Sequence, residues 1–372
     1  MSAAVSLHRP LRLLITGGGT GGHLFPAVAT AEQLLRSTEN SEVLFVGTKR
    51  RLDRDTLETS GFSVATIHSY GLKGKNPAEL IKALLILPVS LLQACFHVLR
   101  FRPDVVLGVG GYVTGPVVVA AWLLRTPTVI HEQNSVPGLA NRKLGGLVKK
   151  VCLSLPQSEQ FFPAEKTVLT GNPVRNSIVD LGNSAAAAGE EQKKMTLVVL
   201  GGSQGAHAVN RLVVDAFESN IERFSHMRVI HQTGRDDEEM VAQAYETLGI
   251  EHEVAPFFSD MAALYRQADI LVSRAGATTL AEIGVVGKPA ILIPYPFAAD
   301  NHQVKNGRYY SESGAAVMFE QDEIDPVRLA EEILAIAGDE ARYQSMARSM
   351  KALGQTDAAR RIVEICMELT EH

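Results

Sequence analysis

Cysteine is scarce: three residues, Cys95, Cys152 and Cys366, stand far apart in a chain of 372. An odd, scattered set with neither metal-ligand nor redox spacing excludes a disulfide framework and predicts reduced, mostly buried thiols. Net positive charge is lacking too. The formal charge is -5, with 36 Lys and Arg against 41 Asp and Glu, which argues against a chain that works by wrapping nucleic acid. The longest apolar segment, Leu80 to Leu99, is interrupted by Lys82, Pro88, Gln93 and His97, so no clean bilayer span remains. Leu11 to Thr16 is too short for the core of a secretory signal and runs straight into a glycine turn, so the chain is expected to stay in the cytoplasm. There is no carboxylate motif for a divalent metal, and no metal is expected.

What the sequence does have is a globular composition, 46% apolar and 21% charged, and more length than one core usually organises, which predicts two domains. Leu11 to Ile15 reads as a buried strand, Gly17 to Gly22 as a tight turn and Pro26 to Arg36 as a helix with proline in its first turn. Strand-like runs recur at Val43 to Val46, Val105 to Val109 and Thr128 to Ile130, the pattern of a parallel sheet covered on both faces. The polar, alanine-rich stretch Asn183 to Lys194 has no apolar period and reads as a linker. After it the opening pattern returns: a strand at Thr196 to Leu200, the turn Gly201 to Gly205, and a helix from about Ala208 to Ser219. Further strands are predicted at Val229 to His231, Ile270 to Val272, Ala290 to Ile293 and Ala315 to Met318. A last helix, Ala358 to Leu369, carries an apolar face of Ile362, Ile365, Cys366 and Leu369 that must be buried, for which packing back on the first domain is one solution.

Several segments carry chemistry. Glycines 17, 19 and 22 let the backbone approach a phosphate at a helix N-terminus. An NAD site would want an acidic residue after the second strand, where this chain has Gly47-Thr48; Lys49, Arg50 and Arg51 instead leave NADP open. His23 follows the glycines, where the helix-end potential favours the neutral imidazole a general base needs; a histidine that merely packs on the turn fits the position as well. Gly201 to Gly205, with the Ser203 hydroxyl, makes a second phosphate-compatible turn. Ser273 to Glu282 is a strand-to-helix junction of small residues with room for a diphosphate, and Glu282 lies about one turn further on, within reach of ribose hydroxyls. Asp300 to Gln303 follows a strand end, where open sheets bind ligands. Lys73, Lys75 and Lys82 adjoin Leu84, Leu85, Ile86, Leu87, Leu91, Leu92 and Phe96, a pairing suited either to anionic lipid or to an interior helix with a charged entry.

Together these segments resemble the family of bacterial peptidoglycan N-acetylglucosaminyltransferases. The likeness rests on ordered blocks over most of the chain: Gly17-Gly18-Gly19-Thr20-Gly21-Gly22-His23, Gly71-Leu72-Lys73-Gly74, Gly110-Gly111-Tyr112-Val113-Thr114-Gly115-Pro116, His131-Glu132-Gln133-Asn134, Gly171-Asn172-Pro173-Val174-Arg175, Gly201-Gly202-Ser203-Gln204-Gly205, Ser273 to Glu282 and Asp300 to Gln303. The resemblance implies an α/β chain of GT-B type, two Rossmann-like domains with parallel sheets facing a central cleft. An acceptor- and membrane-facing domain would cover residues 1–180, a linker 181–195 and a UDP-sugar domain 196–355, with a C-terminal helix of about 356–372 on the first domain. Such enzymes move N-acetylglucosamine from UDP-GlcNAc, with inversion, to the muramoyl 4-hydroxyl of undecaprenyl-diphospho-MurNAc-pentapeptide. By resemblance, Thr20, Gly21, Gly22, Asn134, Arg175, Ser203, Phe258, Ala277, Thr278, Thr279, Leu280, Glu282 and Gln303 line the UDP-GlcNAc site. His23 is the base, and Gly18, Gly19, Lys73, Tyr112 and His131 face the acceptor. No cofactor or metal is implied. The expected setting is the cytoplasmic face of the bacterial plasma membrane, with an anionic lipid surface and wall-synthesis or division proteins as partners and no nucleic acid. Two departures stand out: Phe258 replaces a commonly aliphatic residue whose backbone meets the uracil, and the loop Pro296-Phe297-Ala298-Ala299 varies in length in the family, which loosens the register onto Gln303.

Other readings stay open. An NADP oxidoreductase explains the first glycine turn but leaves the second turn and Glu282 without a task. A related glycosyltransferase with another acceptor fits the donor side equally well. A non-catalytic sugar-nucleotide-binding module would have no need of His23.

Overall fold

The valine- and isoleucine-rich runs pair as parallel strands, because the chain returns between most of them through a helix. The computed structural model describes residues 9–18, 21–48, 57, 61–70, 77–184, 194–202 and 205–371, the side chains of 77–84 excepted. Gly19, Thr20, Lys73 and Ser203, all expected at the site, lie outside these residues, as do Lys49, Arg50, Arg51 and Lys75. The chain divides into two compact units, Met1–Arg175 with Asp357–His372, and Asn176–Thr356.

The first unit runs β1 (Arg12–Thr16), α1 (Gly21–Ser37), β2 (Glu42–Gly47), β3 (Ser63–Thr66), α2 (Pro77–Phe101), β4 (Val105–Gly108), α3 (Thr114–Leu123), β5 (Thr128–Glu132), α4 (Leu139–Leu144), β6 (Lys150–Leu153) and β7 (Thr167–Leu169). Helix α1 starts at Gly21, ahead of the predicted Pro26, so the proline sits in its second turn. The sheet order is β3-β2-β1-β4-β5-β6-β7, with Leu13 of β1 between Val43 and Val105. Side chains alternate across the strands. Leu13, Ile15, Phe45, Leu107 and Cys152 pack against Ala27, Val28, Ala31 and Leu34 of α1. Leu14, Val46, Val106, Ile130 and Val151 pack on the other face, against Ala94 and Val98 of α2 and Val117, Val118 and Ala121 of α3.

The second unit runs α5 (Asn176–Asn183), β8 (Met195–Leu200), α6 (His207–Ser219), α7 (Ile221–Phe224), β9 (Met227–Gln232), α8 (Glu238–Thr247), β10 (Glu251–Ala255), α9 (Met261–Gln267), β11 (Ile270–Ser273), α10 (Ala277–Val286), β12 (Ala290–Leu292), α11 (His302–Glu312), β13 (Ala316–Met318), α12 (Pro326–Gly338) and α13 (Glu340–Ala352). Its order, β10-β9-β8-β11-β12-β13, repeats that of the first sheet. Leu197, Val199, Val229 and Val272 pack with Val213 and Phe217 of α6, Tyr245 of α8 and Ile333 of α12.

The boundary differs from the expected 180. The chain passes to the second unit after Arg175, because α5 packs there so closely that a Cβ on Gly182 would stand 2.5 Å from the Val285 carbonyl oxygen. The Lys351 ammonium donates to the carbonyls of both Gly182 and Val285, and burial lowers its pKa. The final helix, α14 (Ala358–Glu368), belongs to the first unit, where Ile362, Val363, Ile365 and Cys366 complete the core face that α1 covers.

In each sheet the order reverses beside the first strand, between β1 and β4 and between β8 and β11. Ligands of open α/β sheets bind at such switch points, outside the carboxyl ends of the strands. The described loop residues there are Gly17 and Gly18, Gly110 to Val113, Gly201 and Gly202, Gly205 and Ala206, and Arg274 to Gly276.

Ile362 is fully buried, so Ile362→Ala is expected to destabilise the first unit by roughly 2–5 kcal/mol. Urea unfolding followed by the fluorescence of Trp122, the one tryptophan of the chain and a residue of α3, measures it.

Candidate functional site

At the first switch point the loops after β1 and β4 meet backbone to backbone. Gly111, at φ 85°, has no room for a side chain: a Cβ there would lie 2.6 Å from the Gly18 carbonyl oxygen. Gly110, at φ 103°, lies under the His23 ring, whose Cδ2 and Nε2 would be 2.8 Å from a Cβ. A non-glycine residue at either position would clash and strain the backbone. The Thr114 hydroxyl, at the start of α3, donates to the carbonyls of Gly110 (2.8 Å) and Thr16 (3.2 Å), locking the two loops together. The structure thus brings Gly18, Gly21, Gly22, His23 and Tyr112 to one edge of the first sheet. The half-buried Tyr112 accepts the Ser69 hydroxyl at its carbonyl. The Arg175 guanidinium stacks on Phe25 of α1, 4.6 Å from the ring centroid, which holds it beside the first turn of that helix.

Behind these loops lies a buried polar layer. Glu132 is 1% exposed, and its carboxylate takes four N–H donors: the Asn134 amide (3.0 Å) and side chain (3.3 Å) at Oε1, the Gly138 amide (3.1 Å) and the Asn141 side chain (2.9 Å) at Oε2. Burial raises its pKa, and the donors from Asn134, Asn141 and Gly138 pull it back. The carboxylate thereby fixes the turn 133–138 and the orientation of the Asn134 carboxamide.

His131 does not reach the acceptor-facing surface expected for it. It is 1% exposed, beneath the loops, and both ring nitrogens are committed. The Gln133 carboxamide nitrogen donates to Nδ1 at 3.2 Å and to the Val109 carbonyl at 2.8 Å. Nδ1 therefore carries no hydrogen, and Nε2 has the one shared between the Gly171 carbonyl (3.2 Å) and the Ser154 hydroxyl (3.0 Å). Burial pushes its pKa down to about 4, with the Gly171 carbonyl opposing and the neighbouring His23 adding to the shift. His131 is a neutral strut joining β5, the loop after β4 and Gly171.

In the second unit, Gly205 at φ 78° lies so close to the Thr233 carbonyl that a Cβ would stand 2.5 Å from it. Gln232, at the end of β9, donates to the Gly202 carbonyl (3.2 Å) and accepts the Phe258 amide (3.1 Å), tying the loop after β8 to that after β10. The backbone of Phe258, which the resemblance sets against a uracil, thus has its N–H held by Gln232. Helix α10 begins beyond Gly276, and its first amides, those of Ala277, Thr278 and Thr279, have no intrahelical acceptor. Leu280 is placed differently from these three: its side chain is fully buried and its amide bonds to the Gly276 carbonyl. Glu282 is 4% exposed and accepts the Tyr265 hydroxyl at 2.9 Å. Gln303 accepts the Tyr295 amide at 2.9 Å. The Arg274 guanidinium donates to the carbonyls of Ile293 and Pro294, both at 3.1 Å, and to Gln321 at 2.8 Å, so it fixes the loop that carries Tyr295.

Sequence reasoning did not single out Gln133, Asn141, Gln232 or Tyr265, and it left Glu132 without a role. Glu132 and Gln133 stood inside a quoted block; the others carried no local signal. Among the described residues no three His, Cys, Asp or Glu side chains are grouped to hold a metal ion.

The depressed pKa of His131 sets a pH dependence. The unfolded chain protonates this ring near pH 6.5 and the folded chain only near 4, so the stability of the first unit is expected to be full above 6.5 and to fall as pH drops toward about 4. The slope approaches about 1.4 kcal/mol per pH unit. Denaturation read by Trp122 fluorescence across this range should show the loss in the unaltered chain and a flatter profile in His131→Gln.

Comparison with known proteins bears on this arrangement directly. Residues 13–153 match the glycosyltransferase family 28 N-terminal domain and residues 196–362 the family 28 C-terminal domain. The chain is 58% identical to the UDP-N-acetylglucosamine–N-acetylmuramyl-(pentapeptide) pyrophosphoryl-undecaprenol N-acetylglucosamine transferase of Desulfotalea psychrophila, over 97% of either chain. It is 44% identical to the protein of the same name from Syntrophus aciditrophicus, over 96% of this chain and 99% of that one. Among solved structures it is similar to Acinetobacter baumannii MurG, with a TM-score of 0.74 and 28% identity over 96% of this chain and 100% of the other. With both halves matched in order and relatives this similar along nearly the whole length, the chain belongs to glycosyltransferase family 28.

Proposed function

We propose that the chain transfers N-acetylglucosamine from UDP-GlcNAc to the 4-hydroxyl of the muramoyl sugar of undecaprenyl-diphospho-MurNAc-pentapeptide, the reaction its relatives are named for. The observation that supports this reading is that the described residues of four motif segments, those after β1 and β4 and those after β8 and β11, lie at the switch points of the two sheets, with His23 over Gly110. In the first unit His23 takes the proton of the 4-hydroxyl as its oxygen attacks the anomeric carbon. The bond from that carbon to the UDP oxygen breaks, UDP leaves, and the configuration inverts. In the second unit the first turn of α10 and the loop Gly201 to Gly205 meet the diphosphate, with Glu282 and Gln303 on the ribose and sugar. Charge on the departing UDP is balanced by these fixed dipoles and by Arg175, without a metal or cofactor.

The same reading sets the chain peripherally on the cytoplasmic face of the plasma membrane, beside its lipid-linked acceptor. No helix among the described residues is long and apolar enough to cross a membrane. Helix α2 nonetheless presents Leu85, Val89, Leu92, Phe96 and Leu99 outward, at spacings that put all five on one face. Leu85 and Leu92 are 73% and 71% exposed, whereas Ser90, Ala94 and Val98 on the opposite face are buried. Trp122 and Leu123 of α3 are also exposed. Charge favours the same unit: its sequence carries 21 Lys and Arg against 15 Asp and Glu, while the second unit carries 15 against 26. An apolar stripe on the more basic unit suits an anionic bilayer surface. Leu91, grouped with the lipid-facing residues on sequence grounds, is partly buried against the core instead.

Purified protein given UDP-GlcNAc is expected to release UDP only when a short-chain lipid-linked muramoyl-pentapeptide is added. Donor binding without acceptor-dependent release would move the search to another acceptor. His23→Ala is expected to lower kcat by about two to four orders of magnitude with the donor KM unchanged, and normal turnover in that variant removes the base assignment. For the membrane reading, Leu92→Asp with Phe96→Asp should abolish co-sedimentation with phosphatidylglycerol vesicles while leaving UDP release on a water-soluble acceptor intact.

A further inference from the structure

We propose that Phe297 is a binding residue for the sugar of the donor: its ring, with Tyr295 beside it, forms an apolar corner that receives the pyranose of a UDP-N-acetylhexosamine. The inference rests on the reading of the second unit as the donor-binding unit and adds to it a contact made by the C–H face of the sugar rather than by its hydroxyls.

Phe297 is 81% exposed, more than any other large apolar side chain among the described residues. An aromatic ring gains by leaving water, yet this one is held in it by a stiff segment. Pro294 and Pro296 each fix a backbone angle. The Tyr295 amide donates to Gln303 at 2.9 Å, the Ala298 amide to the Tyr295 carbonyl at 3.2 Å and the Asn301 amide to the Ala298 carbonyl at 2.9 Å. From behind, Arg274 donates to the carbonyls of Ile293 and Pro294, and its guanidinium lies 5.5 Å from the centroid of the Tyr295 ring. The segment ends in two successive non-glycine residues in the left-handed region, Asp300 and Asn301, both at φ 55°. Strain of this kind persists only where the surroundings over-determine it, and it collects at ligand-holding segments.

The two rings stand 5.7 Å apart with their planes at 73°, so two apolar faces meet almost at a right angle, next to the carboxamide of Gln303. A pyranose matches such a corner, with C–H groups on its faces and hydroxyls around its rim. Sheet order decides which part of the donor arrives there. The uracil is assigned to the backbone of Phe258, after β10, and the diphosphate to the switch point between β8 and β11. In the order β10-β9-β8-β11-β12-β13, the base end lies on one side of that point and the Tyr295 to Phe297 loop, which follows β12, on the other. Strand spacing puts roughly 19 Å between the ends of β10 and β12, too far for the base to reach both. The group beyond the diphosphate is the sugar.

The test is calorimetric titration of UDP-GlcNAc and of UDP into the unaltered chain, Phe297→Ala and Phe297→Tyr, with the acceptor KM measured in parallel. Phe297→Ala should weaken UDP-GlcNAc about three- to tenfold, the scale of one aromatic contact, with UDP binding unchanged. Phe297→Tyr, which keeps the aromatic face, should bind both ligands as the unaltered chain does. Equal weakening of UDP and UDP-GlcNAc in Phe297→Ala overturns the proposal by making the ring a prop for its loop. Full retention of UDP-GlcNAc affinity in that variant overturns it as well, and a raised acceptor KM would then give the ring to the acceptor. A Phe297→Tyr variant as weak as Phe297→Ala removes the aromatic contact. Each of these results concerns the ring alone, whereas an unaltered chain that binds neither ligand overturns the donor assignment beneath it.

Discussion

The Gly18 carbonyl pressed against Gly111, with no space for a Cβ between them, governs the first unit. Strand order creates this contact: at the switch point the ends of β1 and β4 lie side by side, while α1 and α3 leave to opposite faces of the sheet. The two chain reversals must therefore pass each other within van der Waals distance, and only backbone fits. His23 then emerges over Gly110 at a height set by the thickness of a peptide plane rather than by a flexible side chain. The second unit meets the same demand where Gly205 touches the Thr233 carbonyl.

Each unit also hides a glutamate behind these loops, and the two are satisfied differently. Glu132 is saturated by four N–H donors and works as an anchor for backbone and for Asn134. Glu282 accepts a hydroxyl from a neighbouring helix. Burial makes both expensive to disturb.

Much of this was readable in the sequence. Central strands such as Val105–Gly108 and Thr128–Glu132 are buried on both faces, so they read as unbroken apolar runs and were found. Ser63–Thr66, Thr167–Leu169 and Glu251–Ala255 lie at sheet edges with partly exposed side chains; water on one side dilutes the apolar signal, and they were missed. Asn176–Asn183 was assigned mostly to the wrong unit because its docking depends on Gly182 meeting Val285, a contact between residues far apart in sequence. At the site, motif blocks gave the loops and His23. The burial of His131 and the pairing of Tyr265 with Glu282 needed the third dimension, since a polar residue in a chain reads the same above a sheet and beneath it.

The C-terminal helix has a consequence for how the molecule is made. Its residues Ile362, Val363 and Cys366 close a core face shared with Leu13, Phe45 and Cys152, yet the whole second unit is translated before it. At about 5–20 residues per second, the first unit waits on the order of ten seconds or more without the part of that face that α14 supplies. The second unit, contiguous in sequence, can fold during this interval. Order of synthesis and order of completion are thus inverted: the half begun first is the half finished last, and its nascent sheet is the stretch of chain that a ribosome-bound chaperone would find exposed.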